Sequence, residues 1–191
     1  MGLRTVAAIA AAGVAGAFIV DRWIGDLVAR GEGPDPVIKM AITIDAPIDE
    51  VWDVVSDIER QPLWMEEMKA VRLRSPGPVG VGSRGDADVR IFLLGIVDAV
   101  EVDLYDPPTH FGIRHVGTYS GAGRITLEAI DAGRTLVRWD ERLVPPLFPH
   151  LGQLLQKPIM GAIFQGDLER LREIVESEHA EAIAGAGADG G

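Results

Sequence analysis

Cysteine is absent from all 191 residues. That excludes disulfides, thiolate metal sites and cysteine nucleophiles. Aromatic residues are scarce, 6% of the chain. Positive charge is in deficit: 18 Lys and Arg stand against 29 Asp and Glu, a formal net charge of -11. Such a chain repels phosphate backbones, so nucleic acid is not an expected partner, and charge alone does not draw it to anionic lipid. The histidines are His110, His115, His150 and His179. None of them pair at the i, i+4 spacing of a helical zinc site, so no metal is expected. The glycine-rich stretch 77–82 lacks the Lys-Ser/Thr of a P-loop, and Gly121-Ala122-Gly123 is not a dinucleotide fingerprint. No G-x-S-x-G nucleophile elbow occurs. No cofactor is therefore expected.

What the sequence has in plenty is apolar residues, 47% of it. The first concentration is Thr5 to Val20, TVAAIAAAGVAGAFIV, which carries no charge. As a helix, roughly 16 residues span about 24 Å, somewhat less than a hydrocarbon core of about 30 Å. Trp23 and Arg22 follow, residue types suited to a membrane interface. Three readings stand: a membrane anchor, a signal peptide with an A-x-A site at Ala15-Gly16-Ala17, and a soluble helix. The first makes the protein membrane-tethered through residues 5–20, and the second makes it secreted.

The breakers from Gly31 to Pro36 end this segment, so 1–35 reads as an apolar segment plus linker and 36–178 as the domain. Val37 to Ile44 reads as a strand. Pro47 opens a helix whose Ile48, Val51, Trp52 and Val55 share one face. A second short helix is expected over 57–67, broken at Pro62. The period then changes from 3.6 to 2, giving strands at 69–74, 82–92, 96–105, 111–116, 123–130 and 135–143, with turn residues between them. A long helix follows over 147–178, with Pro158 expected to kink it or mark its start. The Ala/Gly-rich tail 179–191 reads as disordered. Consecutive strands with short connections imply an antiparallel meander, and the last helix is the one element long enough to cover it. The expected class is α+β: two short helices after the first strand, and a curved seven-stranded antiparallel sheet wrapped around the C-terminal helix.

Several short motifs in this order resemble the START-like, or SRPBCC, superfamily, which includes polyketide cyclase/dehydrase-like proteins. Ala46-Pro47-Ile48-Asp49-Glu50-Val51-Trp52 looks like the first helix of that family. Ser56-Asp57, then Pro62 and Trp64, look like its usual turn into the second helix, Val81-Gly82-Ser83-Arg84 like a strand start, and Tyr105-Asp106-Pro107-Pro108 like a middle turn. Gly133 to Trp139 resembles the last hairpin, and Asp167 to Leu171 the end of the long helix. The resemblance covers residues 37–178. It implies a helix-grip fold with a hydrophobic ligand between sheet and helix, and no universal catalytic residue.

Strand alternation nominates the cavity wall. Val89 and Ile91, then Val100, Val102 and Leu104, then Phe111, Ile113 and His115, fall on one face of their strands. So do Ile125 and Leu127, and Val137, Trp139 and Glu141. Trp64 and Tyr119 join the candidates from outside the strands. The ligand-binding set is thus Trp64, Val89, Ile91, Val100, Val102, Ile113, His115, Tyr119, Leu127, Trp139 and Glu141. His115 and Glu141 are the polar members and the candidate acid–base pair, with wetted strand ends the alternative for both. Glu66 and Glu67 read as a solvated helix face. The apolar turns at Phe92 to Ile96 and Val144 to Pro149 are candidates for a cavity mouth. Three functions compete: a carrier or binder of a small hydrophobic molecule (a lipid, an isoprenoid or a polyketide-like compound), a cyclase or dehydratase, and a protein-interaction module.

Overall fold

The computed structural model describes residues 2–91 and 94–188. The chain runs α1 (Leu3–Ala29), β1 (Ile38–Ile44), α2 (Ile48–Ser56), a 3-10 turn (Ile58–Arg60) and α3 (Gln61–Trp64). It continues through β2 (Met68–Leu73), β3 (Arg84–Ile91), β4 (Leu94–Asp106), β5 (His110–His115), β6 (Ser120–Asp131) and β7 (Arg134–Val144) to α4 (Pro149–Ala188). The strands make one sheet in the order β1-β7-β6-β5-β4-β3-β2. Each neighbouring pair is antiparallel. The sheet curves around α4, which gives the expected α+β helix-grip architecture.

Local sequence explains the elements. In α2, Pro47 occupies the cap position, Asp49 and Glu50 fill the first turn, and Val51, Trp52 and Val55 are buried. Acid there suits the positive end of the helix dipole. The expected second helix divides in two. Asp57 accepts the Glu59 backbone N–H at 3.1 Å and starts the 3-10 turn, and α3 carries Pro62 near its start. In α4, Pro158 neither begins nor ends the helix, which starts at Pro149 and passes through it. The tail expectation is corrected over 179–188. Those residues continue α4, where five alanines of high helix propensity offset Gly185 and Gly187. Residues 189–191 of that expectation, and Phe92 and Leu93 of the apolar turn, lie outside the described residues.

One strand departs from simple alternation. The β4–β5 register shifts between Val102 and Leu104, a bulge that puts Asp103 and Leu104 on the same, outer side. Asp103 pairs there with Arg124 at 2.7 Å. Leu104 lies opposite Gly112 on the outer face, and Tyr105 turns inward against Trp52 and Phe111. The inward assignment of Leu104 is therefore corrected.

α1 is longer than the uncharged run and has two parts. Val14, Phe18, Ile19, Val20 and Trp23 are exposed. On the opposite side of its last turns, Asp21 and Ile24 are buried against the start of α4. Asp21 Oδ1 accepts the backbone N–H groups of His150 and Leu151, both at 2.8 Å, and so caps α4 from another helix. Phe18 packs on Phe148, ring centroids 4.8 Å apart. α1 ends in a Schellman motif: Gly31 has φ +73°, its N–H bonds Val28 O, and the Glu32 N–H bonds Leu27 O.

Candidate functional site

A cavity of about 120 Å³ lies between the sheet and α4. An apolar cavity of about 150 Å³ suffices to bind benzene. The space is therefore of single-ring scale. Its wall is mostly apolar, with Phe111, Ile125 and Trp139 on the sheet side and Met160 and Phe164 on the α4 side. Ile91, Ile96, Tyr119 and Leu143 also line it and are partly exposed. In an antiparallel meander the end of β3, the start of β4, the segment before β6 and the end of β7 lie at the same sheet end. That end is the mouth, beside the start of α4, where Gln156 Nε2 donates to Leu143 O at 2.6 Å. At the other end Trp52, Tyr105 and Phe111 pack edge to face and close the space.

The structure brings most of the nominated residues to this wall. Val89, Ile91, Val100, Ile113, His115, Tyr119, Trp139 and Glu141 line it. Val102 and Leu127 do not. They face inward, as alternation requires, but sit farther along their strands in the solid core. Trp64 is also off the wall. It is fully buried, edge-on to Trp139 at 5.9 Å between ring centroids. Parity identifies the inner face, but the cavity occupies only one stretch of that face.

His115 and Glu141 face the same cavity, and His115 Nε2 lies 3.1 Å from Glu141 Oε1. A third member, Asp98, was not nominated. Its Oδ2 lies 2.8 Å from His115 Nδ1. Asp98 has the same parity as Val100 and lies two residues before it, so extending the alternation along β4 would have found it. Asp98 is 3% exposed and Glu141 4% exposed. Burial by itself pulls the imidazole pKa down, but the hydrogen bonds and charges of the two carboxylates outweigh it and raise it to about 9. His115 is then a cation at neutral pH, donating from both ring nitrogens. Glu141 Oε2 also accepts from Trp139 Nε1 at 2.9 Å, and Asp98 Oδ1 accepts the Tyr119 N–H at 3.4 Å. Two glycines make room for these carboxylates. A Cβ on Gly123 would lie 2.3 Å from Glu141 Oε2, and one on Gly117 2.5 Å from Asp98 Oδ1. The carboxylates approach opposite edges of the ring. Among the described residues no group of His, Asp and Glu is placed to hold a metal ion.

A second polar group, also missed, stands on another wall. Glu67 follows α3, is 7% exposed and lines the cavity, so its reading as a solvated face is corrected. The chain turn that starts β2 carries it inward: the Glu67 carbonyl accepts the Arg90 N–H at 2.7 Å. Its partner is Asp167 on α4, 0% exposed. Burial, then the charge and hydrogen bond of Asp167, push the Glu67 carboxyl up to about 8. Burial raises Asp167 as well. A separation of a hundred residues left no local signal for this pair.

The profile of the family described as polyketide cyclase/dehydrase and lipid transport matches residues 36–176. The chain belongs to that family. Its fold is shared by solved structures of low sequence identity. A Thermus thermophilus protein aligns with TM-score 0.61 at 18% identity, over 75% of this chain and 99% of that one. The Zhui aromatase/cyclase from a Streptomyces strain aligns with TM-score 0.57 at 18% identity, over 73% and 93%. A START superfamily protein from Mycobacterium smegmatis aligns with TM-score 0.55 at 18% identity, over 76% and 98%. No curated protein matches the sequence significantly.

Proposed function

We propose that this family member binds a small hydrophobic molecule in the cavity and holds a hydrogen-bond donor of that guest at Asp98–His115–Glu141. The observation that carries the reading is an apolar, ring-sized cavity whose wall is interrupted by so few polar groups. Apolar wall supplies affinity, and placed polar groups supply orientation. An ionised carboxyl has about four acceptor positions. Asp98 and Glu141 each have two of theirs filled within the protein. The remaining positions suit a hydroxyl or N–H of the guest.

Carriage fits better than catalysis. A general acid or base must exchange a proton with the substrate. Both nitrogens of His115 are committed to carboxylates. The alternative, a cyclase or dehydratase, draws on the carboxylates facing the cavity and on the likeness to an aromatase/cyclase.

We also propose that α1 tethers the domain to a membrane. The stretch Thr5–Ala29 is long and apolar enough to cross one. Its docked part meets the β7–α4 loop, at the mouth end of the cavity, where Leu147 is exposed. With α1 in a membrane, the mouth would face the lipid from which an apolar guest would come.

The test is to purify the full chain in detergent and analyse a solvent extract by mass spectrometry. A near-stoichiometric hydrophobic compound returned unchanged supports carriage, and one returned altered supports the enzyme. A blank extract, together with no binding of toluene or benzyl alcohol, overturns both. Recovery of the chain in the soluble fraction, without detergent, overturns the tether.

A further inference from the structure

The Glu67–Asp167 pair has a property that the His115 group lacks. Glu67 Oε2 and Asp167 Oδ2 are both sealed from solvent, and among the described residues neither receives a hydrogen bond from a donor group. The other Asp167 oxygen is well supplied: Oδ1 accepts the Glu66 N–H and Arg170 Nη1, each at 2.9 Å. Arg170 also pairs with the Glu66 carboxylate at the surface. Two adjoining buried carboxylates do not both stay ionised. One proton between the two sealed oxygens satisfies both. Asp167, with a cation and an N–H on its other oxygen, is the better-stabilised anion, so the proton resides on Glu67.

This assignment leaves one atom. Glu67 lines the cavity, its Oε2 is sealed, and the proton points at Asp167. Oε1 is then a carbonyl-type acceptor in the wall, with no donor among the described residues. Gln61 lines the same region. Unlike Oε2, Oε1 is not sealed, and a guest donor that reaches it in an apolar cavity makes a hydrogen bond less screened than one in bulk water.

We infer that Glu67 Oε1, held in place by Asp167, is a second anchor in the cavity and accepts a hydrogen bond from a guest hydroxyl. The guest class is then a ring-sized apolar body with two donor groups, one for each polar wall. This rests on the cavity-binding reading above and narrows it.

The test uses the full chain in detergent and three probes of one frame: 1,4-benzenedimethanol, benzyl alcohol and p-xylene. Binding is followed by tryptophan fluorescence, since Trp139 lines the cavity. Partition into detergent is common to all variants and cancels in ratios between them. Wild type is expected to bind the diol more tightly than the mono-alcohol. Glu67→Leu should weaken the diol by about tenfold, the worth of one hydrogen bond, and leave the mono-alcohol nearly unchanged. Glu67→Gln, whose amide N–H₂ faces Asp167 and whose oxygen faces the guest, should keep the diol preference.

Equal losses for diol and mono-alcohol would mean that Glu67 only shapes the space, and would overturn the proposal. So would a wild-type protein that binds the two alcohols equally, a result that needs no variant to fold. If wild type binds p-xylene but shows no diol preference, the cavity reading survives and this one does not. If it binds none of the three, both fall.

Discussion

Two sets of buried carboxylates border one cavity, the second through Glu67 alone, and reach electrical acceptability by different routes. Around His115, each carboxylate oxygen of Asp98 and Glu141 has a donor: a ring nitrogen, the Trp139 indole or the Tyr119 backbone. Around Asp167 the donors all go to one oxygen, and Glu67 receives none. The first set raises the pKa of its histidine to about 9. The second keeps a proton. Burial is similar in the two, so the supply of donors is what sets them apart.

The sharpest way to break the comparison is to remove a partner from the saturated set. Asp98→Ala strips His115 of one of two anions and leaves a buried cation half compensated. We expect a loss of about 3–5 kcal/mol, as for breaking a buried ion pair. Urea unfolding checks the loss, and a fall in the His115 pKa, followed by NMR of the ring protons, checks its cause. A cost near that of a surface substitution would show that His115 does not depend on Asp98.

The next effect is on pH. Glu67 and His115 each bind a proton more tightly folded than unfolded, so each stabilises at low pH and loses that contribution as pH rises. For Glu67 the loss runs from its ordinary value of 4.5 through about 8. For His115 it runs from 6.5 through about 9. Wild type should therefore lose a few kcal/mol between about pH 5 and pH 9, within the scale of such linkage. Glu67→Gln removes the lower window, so its urea midpoint should hold level until about pH 6.5. A decline in that variant parallel to wild type from pH 5 would contradict the shared proton.

A buried carboxylate at a third place, Asp21, gives the smallest effect. Asp21 is satisfied by two backbone N–H groups at the start of α4. Asp21→Ala should cost about 0.5–2 kcal/mol, the range for a lost helix cap, and Asp21→Asn less. Thermal melts of the three proteins check the order. A cost well above that range would mean that undocking α1 opens the β7–α4 loop as well.

Much of this was legible beforehand, and for local reasons. A period of 2 between turn residues located the strands of the meander and the inner faces of Val89, Val100, Ile113 and Glu141, because side chains alternate wherever a strand is regular. The misses occur where regularity fails or where distant segments meet. At Asp103 a bulge adds a residue to one face and reverses Leu104 and Tyr105. Glu66 and Glu67 are adjacent and look alike, yet one is exposed and the other buried, because the turn into β2 points them apart.

By itself the sequence determined the element order, the inward parity of most strand residues and the apolar character of α1, all properties of short periodic windows. Only the tertiary structure decided that Asp98 brackets His115, that Asp167 meets Glu67 and that Asp21 caps α4. Those pairings depend on sheet register and helix docking over separations of 17 to 130 residues. No local pattern encodes which donor a buried oxygen will find, because that donor arrives from another part of the chain when the core closes.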